Sequence, residues 1–290
     1  MLDENFSQKL IINLCPTGMV PQKKNCPFVP ISATEIAKDV QRCHNLGVSM
    51  VHLHARLTDG TPTWEKAYFE EIINEILIRI NDIILVVTTS GRNWPEIERR
   101  SNSLECLPTP DMASLTLGSM NFPKEPSINS PDTIIRLAEI MNEKGIVPEL
   151  EVFDIGMVNF SNYLINKNIL NPPFYYNLIL GNRGTADLSP INIAALLSTL
   201  PHGATWALGG IGRYQLAANS LALSLGGHVR VGLEDNPYYD WSKKTDASNP
   251  VLVERIVNQA RLLGREIANV EDARRIIGLP QRKQEAKEVA

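Results

Sequence analysis

The sequence predicts an α/β protein closed as a (β/α)8 TIM barrel with appended C-terminal helices, and three observations carry that expectation. Short β-branched runs alternate with segments of helical period from one end to the other, the mark of repeated βα units on a parallel sheet. Eight such units can be counted. The runner-up, an open doubly wound sheet, lacks its GxGxxG fingerprint after the first strand, where Pro16-Thr17-Gly18 follows instead. Single barrels routinely reach 290 residues as one unit, so one TIM-barrel domain over 1–290 is expected.

Taken in order, the first strand is expected at Leu10 to Cys15, ahead of the Pro-Thr-Gly turn. Ala33 to Leu46 repeats apolar residues at helical spacing, with Ser32 or Thr34 placed to cap it and Gly47 to end it. Ser49 to His54 is the second strand, and Trp64 to Ile80 the helix after it. Strands at Ile83 to Thr88, Met112 to Thr116, Val147 to Val152, Phe174 to Leu180, Thr205 to Leu208 and His228 to Val231 complete the eight. Asn249-Pro250 opens a further helix through Leu263, because proline suits a first helical turn, and Val270 to Ile276 reads as another. About 249–279 is therefore expected as a C-terminal helical extension. The final QRKQEAKEVA is polar and expected to fray.

With 43% hydrophobic and 21% charged residues the chain can fill a core, and a net charge of −4 gives no general attraction to nucleic acid or anionic membrane. The start, MLDENFSQKL, has no basic stretch before an apolar run, and no apolar segment reaches the length of a membrane span. A cytoplasmic protein without nucleic-acid or membrane partners is expected. Cys15, Cys26, Cys43 and Cys106 show no CxxC spacing, which fits reduced thiols in the core better than a disulfide framework.

In a barrel the chemistry gathers where strands end, so the residues to inspect are few. Within VHLHAR, His52 and His54 fall on one side of strand two because strand side chains alternate. Paired imidazoles suit zinc, which also accepts carboxylate and keeps an open position in catalytic sites; taken alone, the same pair reads as buried, hydrogen-bonded histidines. A third donor is available just past strand eight, where Glu234 and Asp235 lie beside Arg230, on a strand that closure brings near strands one and two. In isolation that acidic loop reads first as a solvated turn paired with Arg230. His228 enters its strand from the bottom and is read as structural. Glu149 and Glu151 share a face of strand five, an expensive arrangement unless cations or hydrogen bonds meet them. Strands three and four end in Thr88-Thr89-Ser90-Gly91-Arg92 and Ser114-Leu115-Thr116-Leu117-Gly118, whose hydroxyls and glycines can bring donors to an oxyanion. The Gly209-Gly210-Ile211-Gly212-Arg213 turn is either an anion cradle or a tight turn.

These motifs together resemble the β-keto acid cleavage enzymes. The resemblance runs over nearly the whole chain, through Pro16-Thr17-Gly18, VHLHAR, TTSGR, SLTLGSMNF, PELEVFDIGM, ATWALGGIGR and GGHVRVGLEDN, with HLH and GLEDN the most specific. It implies a zinc-bearing barrel, often tetrameric, that reacts a β-keto acid with acetyl-CoA to give acetoacetate and a new acyl-CoA. By the same resemblance His52, His54 and Glu234 would be the zinc ligands, and Asp235 would take the substrate's α-proton in a dyad with Arg230. Glu151 would belong to the same site. Thr88 and Ser114, standing where the family has serine and threonine, would bind substrate with Thr116 and a backbone donor at Gly91. An aminated-substrate branch of the family has a glutamate two residues after Thr-Gly, whereas this chain has Val20 there, which argues against a cationic amine tail. The Pro21 to Pro30 loop, with Lys23 and Lys24, would instead admit an apolar or anionic tail.

The chemistry so implied is a Claisen and retro-Claisen exchange, with zinc as Lewis acid and Asp235 as base. Two rivals remain at this stage. One is a zinc hydrolase or aldolase that needs no CoA; the other is a barrel that senses metal or serves as a scaffold, against which Asp235 beside Glu234 counts.

Overall fold

Eight short runs dominated by Ile, Val, Leu and Met form the strands of the computed structural model, which describes residues 8–123 and 125–281. They are β1 (Ile12–Leu14), β2 (Met50–Leu53), β3 (Ile84–Val87), β4 (Met112–Thr116), β5 (Val147–Val152), β6 (Tyr175–Leu180), β7 (Thr205–Gly210) and β8 (His228–Val231). Each pairs in parallel with its neighbours in chain order, and β8 closes on β1, giving the expected barrel. Each observed strand overlaps its expected segment, with ends displaced by two residues at most.

The helices around it are α1 (Ala33–Asn45), α2 (Lys66–Arg79), α3 (Pro131–Glu143), α4 (Ile155–Asn166), α5 (Pro190–Thr199), α6 (Gln215–Ser224), α7 (Asn249–Leu262) and α8 (Val270–Ile277). Of the two caps available to α1, Ser32 is used: its hydroxyl accepts from the Glu35 N–H while Glu35 reaches back to the Ser32 N–H. After β3 the chain makes only a four-residue helix, Ile97–Arg100, and a 3-10 turn. Two small antiparallel hairpins, Ala55–Arg56 with Pro62–Thr63 and Met120–Asn121 with Pro126–Ser127, follow β2 and β4.

The two C-terminal helices follow β8 as expected and take different positions. Helix α7 packs on β1, β8, α1 and α6, so it fills the place of the barrel's eighth helix. Helix α8 packs beneath the barrel, where Ala268, Val270, Ala273 and Ile277 join Ile11, Met50, Ile84, Met112, Tyr175 and Ala207 in one apolar cluster. The polar tail expected to fray lies, from residue 282 on, outside the described residues, as do residues 1–7. All four cysteines are buried and free. No helix among the described residues is long and apolar enough to cross a membrane.

Alternation along the strands divides their residues between two cores. Ile12, Leu14, Val51, Leu53, Leu85, Val87, Ala113 and Leu115 face the helices, and the residues between them face the barrel axis. The axial stack is apolar in its lower part and changes character going up: Asn13, His52, Ser114, Glu149, Asn177 and Arg230 follow Ile11, Met50, Met112, Val147, Tyr175 and His228 at spacing two, and all six are buried.

Candidate active site

Polar groups this deep must find partners, and Glu149 is the hub on which they converge. Its Oε1 accepts from Asn13 Nδ2 at 2.7 Å and Asn177 Nδ2 at 3.0 Å, and its Oε2 lies 2.7 Å from His52 Nδ1. Burial opposes ionisation of Glu149, but His52, Arg230 and Asn13 outweigh it and hold the carboxyl below its ordinary value. An ionised Glu149 accepts the hydrogen bond of the His52 Nδ1–H, which fixes the ring so that Nε2 faces the top of the barrel and is the atom left for a cation to displace a proton from.

That nitrogen meets the other two candidate ligands. His52 Nε2 and His54 Nε2 are 3.3 Å apart, and His54 Nε2 is 3.3 Å from Glu234 Oε1. Donors bound at 2.0–2.1 Å in a tetrahedral shell are separated by about 3.3 Å, so the spacing suits zinc. Glu234 Oε2 is buried with no hydrogen-bond partner, an orphaned atom that a cation would satisfy. Charge gives the same answer. Burial works to lower the His52 pKa, yet Glu149 and Glu234 carry it up to about 9, because the cluster draws positive charge. Glu234 is held well below the usual carboxylate range: burial opposes this, but His54, Arg230 and His52 prevail. A second grouping, His52 with Glu149 and Glu151, shares His52 and uses a Glu149 already saturated by three donors, so the first triad is the better cation site. Gly18 explains the Thr-Gly turn beside it, since its φ is 62° and a Cβ there would lie 2.4 Å from Glu234 Cγ.

Arg230 ties the acidic groups together. Its Nε donates to Asp235 Oδ2 at 2.8 Å and its Nη2 to Asp235 Oδ1 at 3.3 Å and Glu234 Oε1 at 2.8 Å. Glu151 lies 3.6 Å from Arg230 Nη1 and accepts from Thr116 Oγ1 at 2.7 Å. Burial raises the pKa of both Asp235 and Glu151, with Arg230 opposing it at each. A buried carboxylate made more basic and clamped by one arginine is suited to proton transfer.

A cavity of about 370 Å³ opens above this cluster, and His52, His54, Thr88, Thr116, Glu151, Arg230, Glu234 and Asp235 all line it. Its outer wall is largely apolar, with Val20, Phe122, Phe153 and Ile179 among its residues. Two expected substrate contacts do not line the cavity. The Ser114 hydroxyl accepts from the Thr89 N–H at 3.1 Å, and Gly91 faces Arg100, whose guanidinium would be 2.8 Å from any Cβ placed there. Both fix the loop after β3. Lys23 pairs with Glu35, and neither Lys23 nor Lys24 lines the cavity. The glycine turn after β7 reads as packing: Gly212 N–H donates to Asp235 O, Ile211 N–H to Leu180 O, and a Cβ at Gly210 would strike Tyr214.

His228 Nδ1 accepts from the Ile11 N–H at 3.0 Å at the lower end of β8, a structural position as expected. Asn13 and Asn177 were not singled out from sequence. Each is one polar residue within an apolar strand, and alternation against their buried neighbours is the one signal that marks them as axial.

The family model described as beta-keto acid cleavage enzyme matches residues 9–279. A 3-keto-5-aminohexanoate cleavage enzyme of Fusobacterium nucleatum is 37% identical over 94% of this chain and 98% of that protein. A 3-oxoadipate:acetyl-CoA acetyltransferase of Cupriavidus necator is 36% identical over 95% and 96%. Among solved structures, the apo structure of ObcA superposes with a TM-score of 0.75 at 20% identity, covering 87% of this chain and 66% of that one.

Proposed function

The chain belongs to the β-keto acid cleavage enzyme family, and from that premise we propose that it exchanges acyl groups between a β-keto acid and acetyl-CoA, releasing acetoacetate and a new acyl-CoA. It is an acyltransferase-type enzyme, and its relatives use acetyl-CoA as co-substrate. The observation that carries the reading is the meeting of the Arg230–Asp235 pair with His52, His54 and Glu234 in one cavity.

His52, His54 and Glu234 would hold a zinc ion, which when bound supplies Lewis-acid polarisation of the keto group. The remaining work falls to the chain. Asp235 takes the α-proton, its carboxylate oriented by Arg230 and made more basic by burial. The carbanion attacks the acetyl carbon of acetyl-CoA, and CoA leaves as its thiolate. That thiolate attacks the substrate's own keto carbon, and the bond between that carbon and the α-carbon breaks. The α-carbon then regains a proton from Asp235, giving acetoacetate, while the rest departs as acyl-CoA. Thr88 binds the carboxylate with its hydroxyl, whose proton no protein group takes, while Thr116, its own proton given to Glu151, lines the substrate's side of the site; Ser114 and Gly91 support it by fixing the loop after β3. Glu151 completes the charge balance around Arg230. Glu149, with Asn13 and Asn177, positions His52 rather than touching substrate.

We carry with this reading a single domain over 1–290, a homo-oligomer with a tetramer favoured, and a cytoplasmic location. The decisive experiment incubates protein of verified zinc content with acetyl-CoA and a panel of β-keto acids, and follows acetoacetate and acyl-CoA by mass. Absence of acetoacetate throughout rejects acyl exchange. Turnover without any thioester would instead indicate a hydrolase or aldolase.

A further inference from the structure

The tail of the β-keto acid is the variable that this mechanism leaves open, and the cavity wall carries a cation that the mechanism does not use. Arg92, in the loop after β3, lines the cavity with its guanidinium 3.6 Å above the Phe122 ring. Its Nε is buried without a hydrogen-bond partner, and none of the ion pairs among the described residues involves it.

The buried arginines near the cavity are each held by several protein groups. Arg100, eight positions along the same loop, donates to Thr89 O, Ile128 O and Asn129 Oδ1. Arg56 donates to the carbonyls of Gly18, Gly60 and Pro21. Arg230 is held by Asp235 and Glu234, and its one unbonded nitrogen, Nη1, still has the Glu151 carboxylate 3.6 Å away. Arg92 is thus a half-buried cation on the cavity wall whose Nε is shut off from water and bonded to no protein group, a donor that a ligand anion would satisfy. Burial lowers its pKa from the ordinary value, and the charges of Glu234, Glu125 and Glu151 oppose this without forming an ion pair with it.

The cavity's own carboxylates do not fill that place. Glu234 and Asp235 are bound to Arg230, Glu151 to Thr116, and Glu125 on the rim forms no ion pair with Arg92. A planar fork stacked on an aromatic ring matches a carboxylate in bidentate fashion. Val20, Phe122 and Phe153 offer methylene groups an apolar path along the same wall.

We propose that Arg92 is the specificity residue for an anionic tail, so that the substrate is a 3-oxo dicarboxylic acid. The proposal rests on the acyl-exchange reading above and deepens it. A cationic tail would meet Arg92 as a like charge, and a neutral tail would leave it unpaired.

The test compares two acids of equal length, 3-oxohexanedioic and 3-oxohexanoic, with the wild-type enzyme and with Arg92→Met and Arg92→Lys. For wild type, kcat/KM favours the diacid. In Arg92→Met that preference falls by about 10- to 100-fold, the loss expected for one charged hydrogen-bonded pair, and it appears mainly in KM. Arg92→Lys retains part of it, because charge survives without the fork. An unchanged diacid-to-monoacid ratio in Arg92→Met overturns the proposal, since Arg92 then serves the common carboxylate or CoA; so does a wild-type preference for the monoacid. Calorimetric binding of the two acids without acetyl-CoA reads the same ratio independently of turnover. If no acid yields acetoacetate but the diacid still binds more tightly through Arg92, acyl exchange fails and the tail site stands. Equal binding of both acids refutes the tail site alone.

Discussion

At the bottom of the barrel Arg274 is completely buried and spends its guanidinium on four contacts: Asp111 Oδ1 at 2.7 Å, both Asp82 oxygens at 2.9 and 3.3 Å, and Pro280 O at 3.2 Å. At the top Arg92 stacks on Phe122 and makes no hydrogen bond or ion pair among the described residues. The carboxylates divide in the same way. Asp111 accepts from Arg274 and from the Leu85 N–H, whereas Glu234 leaves Oε2 without a partner and Glu151 has one hydrogen bond, from Thr116. Burying charge costs free energy at either end, so the difference is informative: the lower network is closed on itself and serves to seat α8 under the strands, while the upper one is left open for a cation and a substrate.

The comparison can be broken most severely at the top. His52→Ala should lose bound metal and activity together, and an active, metal-free variant would remove His52 from the ligand set. Asp235→Asn should keep the metal and lower turnover by about 10²- to 10⁴-fold, the span of general base catalysis. Metal loss in this second variant would mean that Asp235 belongs to the ligand shell instead. Glu149→Gln is milder, because a neutral amide still fills the site but no longer fixes the His52 tautomer; metal affinity or activity should fall by about 10- to 100-fold. Equal metal affinity and rate in Glu149→Gln would leave Glu149 as packing only.

How much of this contrast could be read in the sequence depends on the range of the signal. Strands and helices rest on local periodicity, so Met112 to Thr116 and Val147 to Val152 match their expected bounds, and the turn cap falls on Ser32. His52, His54, Glu234 and Asp235 are legible because alternation and barrel closure alone place them at one rim. Glu149 and Glu151 look alike in sequence; their roles separate only because Asn13 and Asn177, 136 and 28 residues away, reach the first and not the second. Arg92 and Arg100 are equally indistinguishable, since whether a guanidinium finds carbonyls or an open cavity depends on a loop's path rather than on its composition. The Pro21 to Pro30 loop, expected to admit an apolar or anionic tail, reaches the cavity through Pro21, Asn25 and Cys26, while Lys23 pairs with Glu35 and Arg92 comes to the cavity from β3's loop.

Below the site, effects should appear in stability and spare the chemistry. Arg274→Met leaves Asp82 and Asp111 facing each other's charge without their cation, which should cost about 3 kcal/mol in denaturant unfolding, toward the low end for a broken buried network because Asp82 keeps some water contact. Turnover per folded molecule should stay at the wild-type value; a parallel loss of kcat would show that the two ends are coupled.

The smallest effect is a slope. Burial, aided by Arg265, lowers the His228 pKa from 6.5 to about 3, and its Nδ1 must stay unprotonated to accept from Ile11. The folded pKa therefore lies below the unfolded one, so the unfolded chain takes up this proton first. Stability from His228 is complete above pH 6.5 and declines as pH falls toward 3, by at most about 1.4 kcal/mol per pH unit. His228→Asn can keep the acceptor without a group that titrates in this range, so its unfolding free energy between pH 6.5 and 4.5 should fall less steeply than that of wild type, even if it starts lower from lost packing. Parallel slopes for the two proteins would show that acid sensitivity comes from other groups, and that the lower half of β8 tolerates charge as the upper half does.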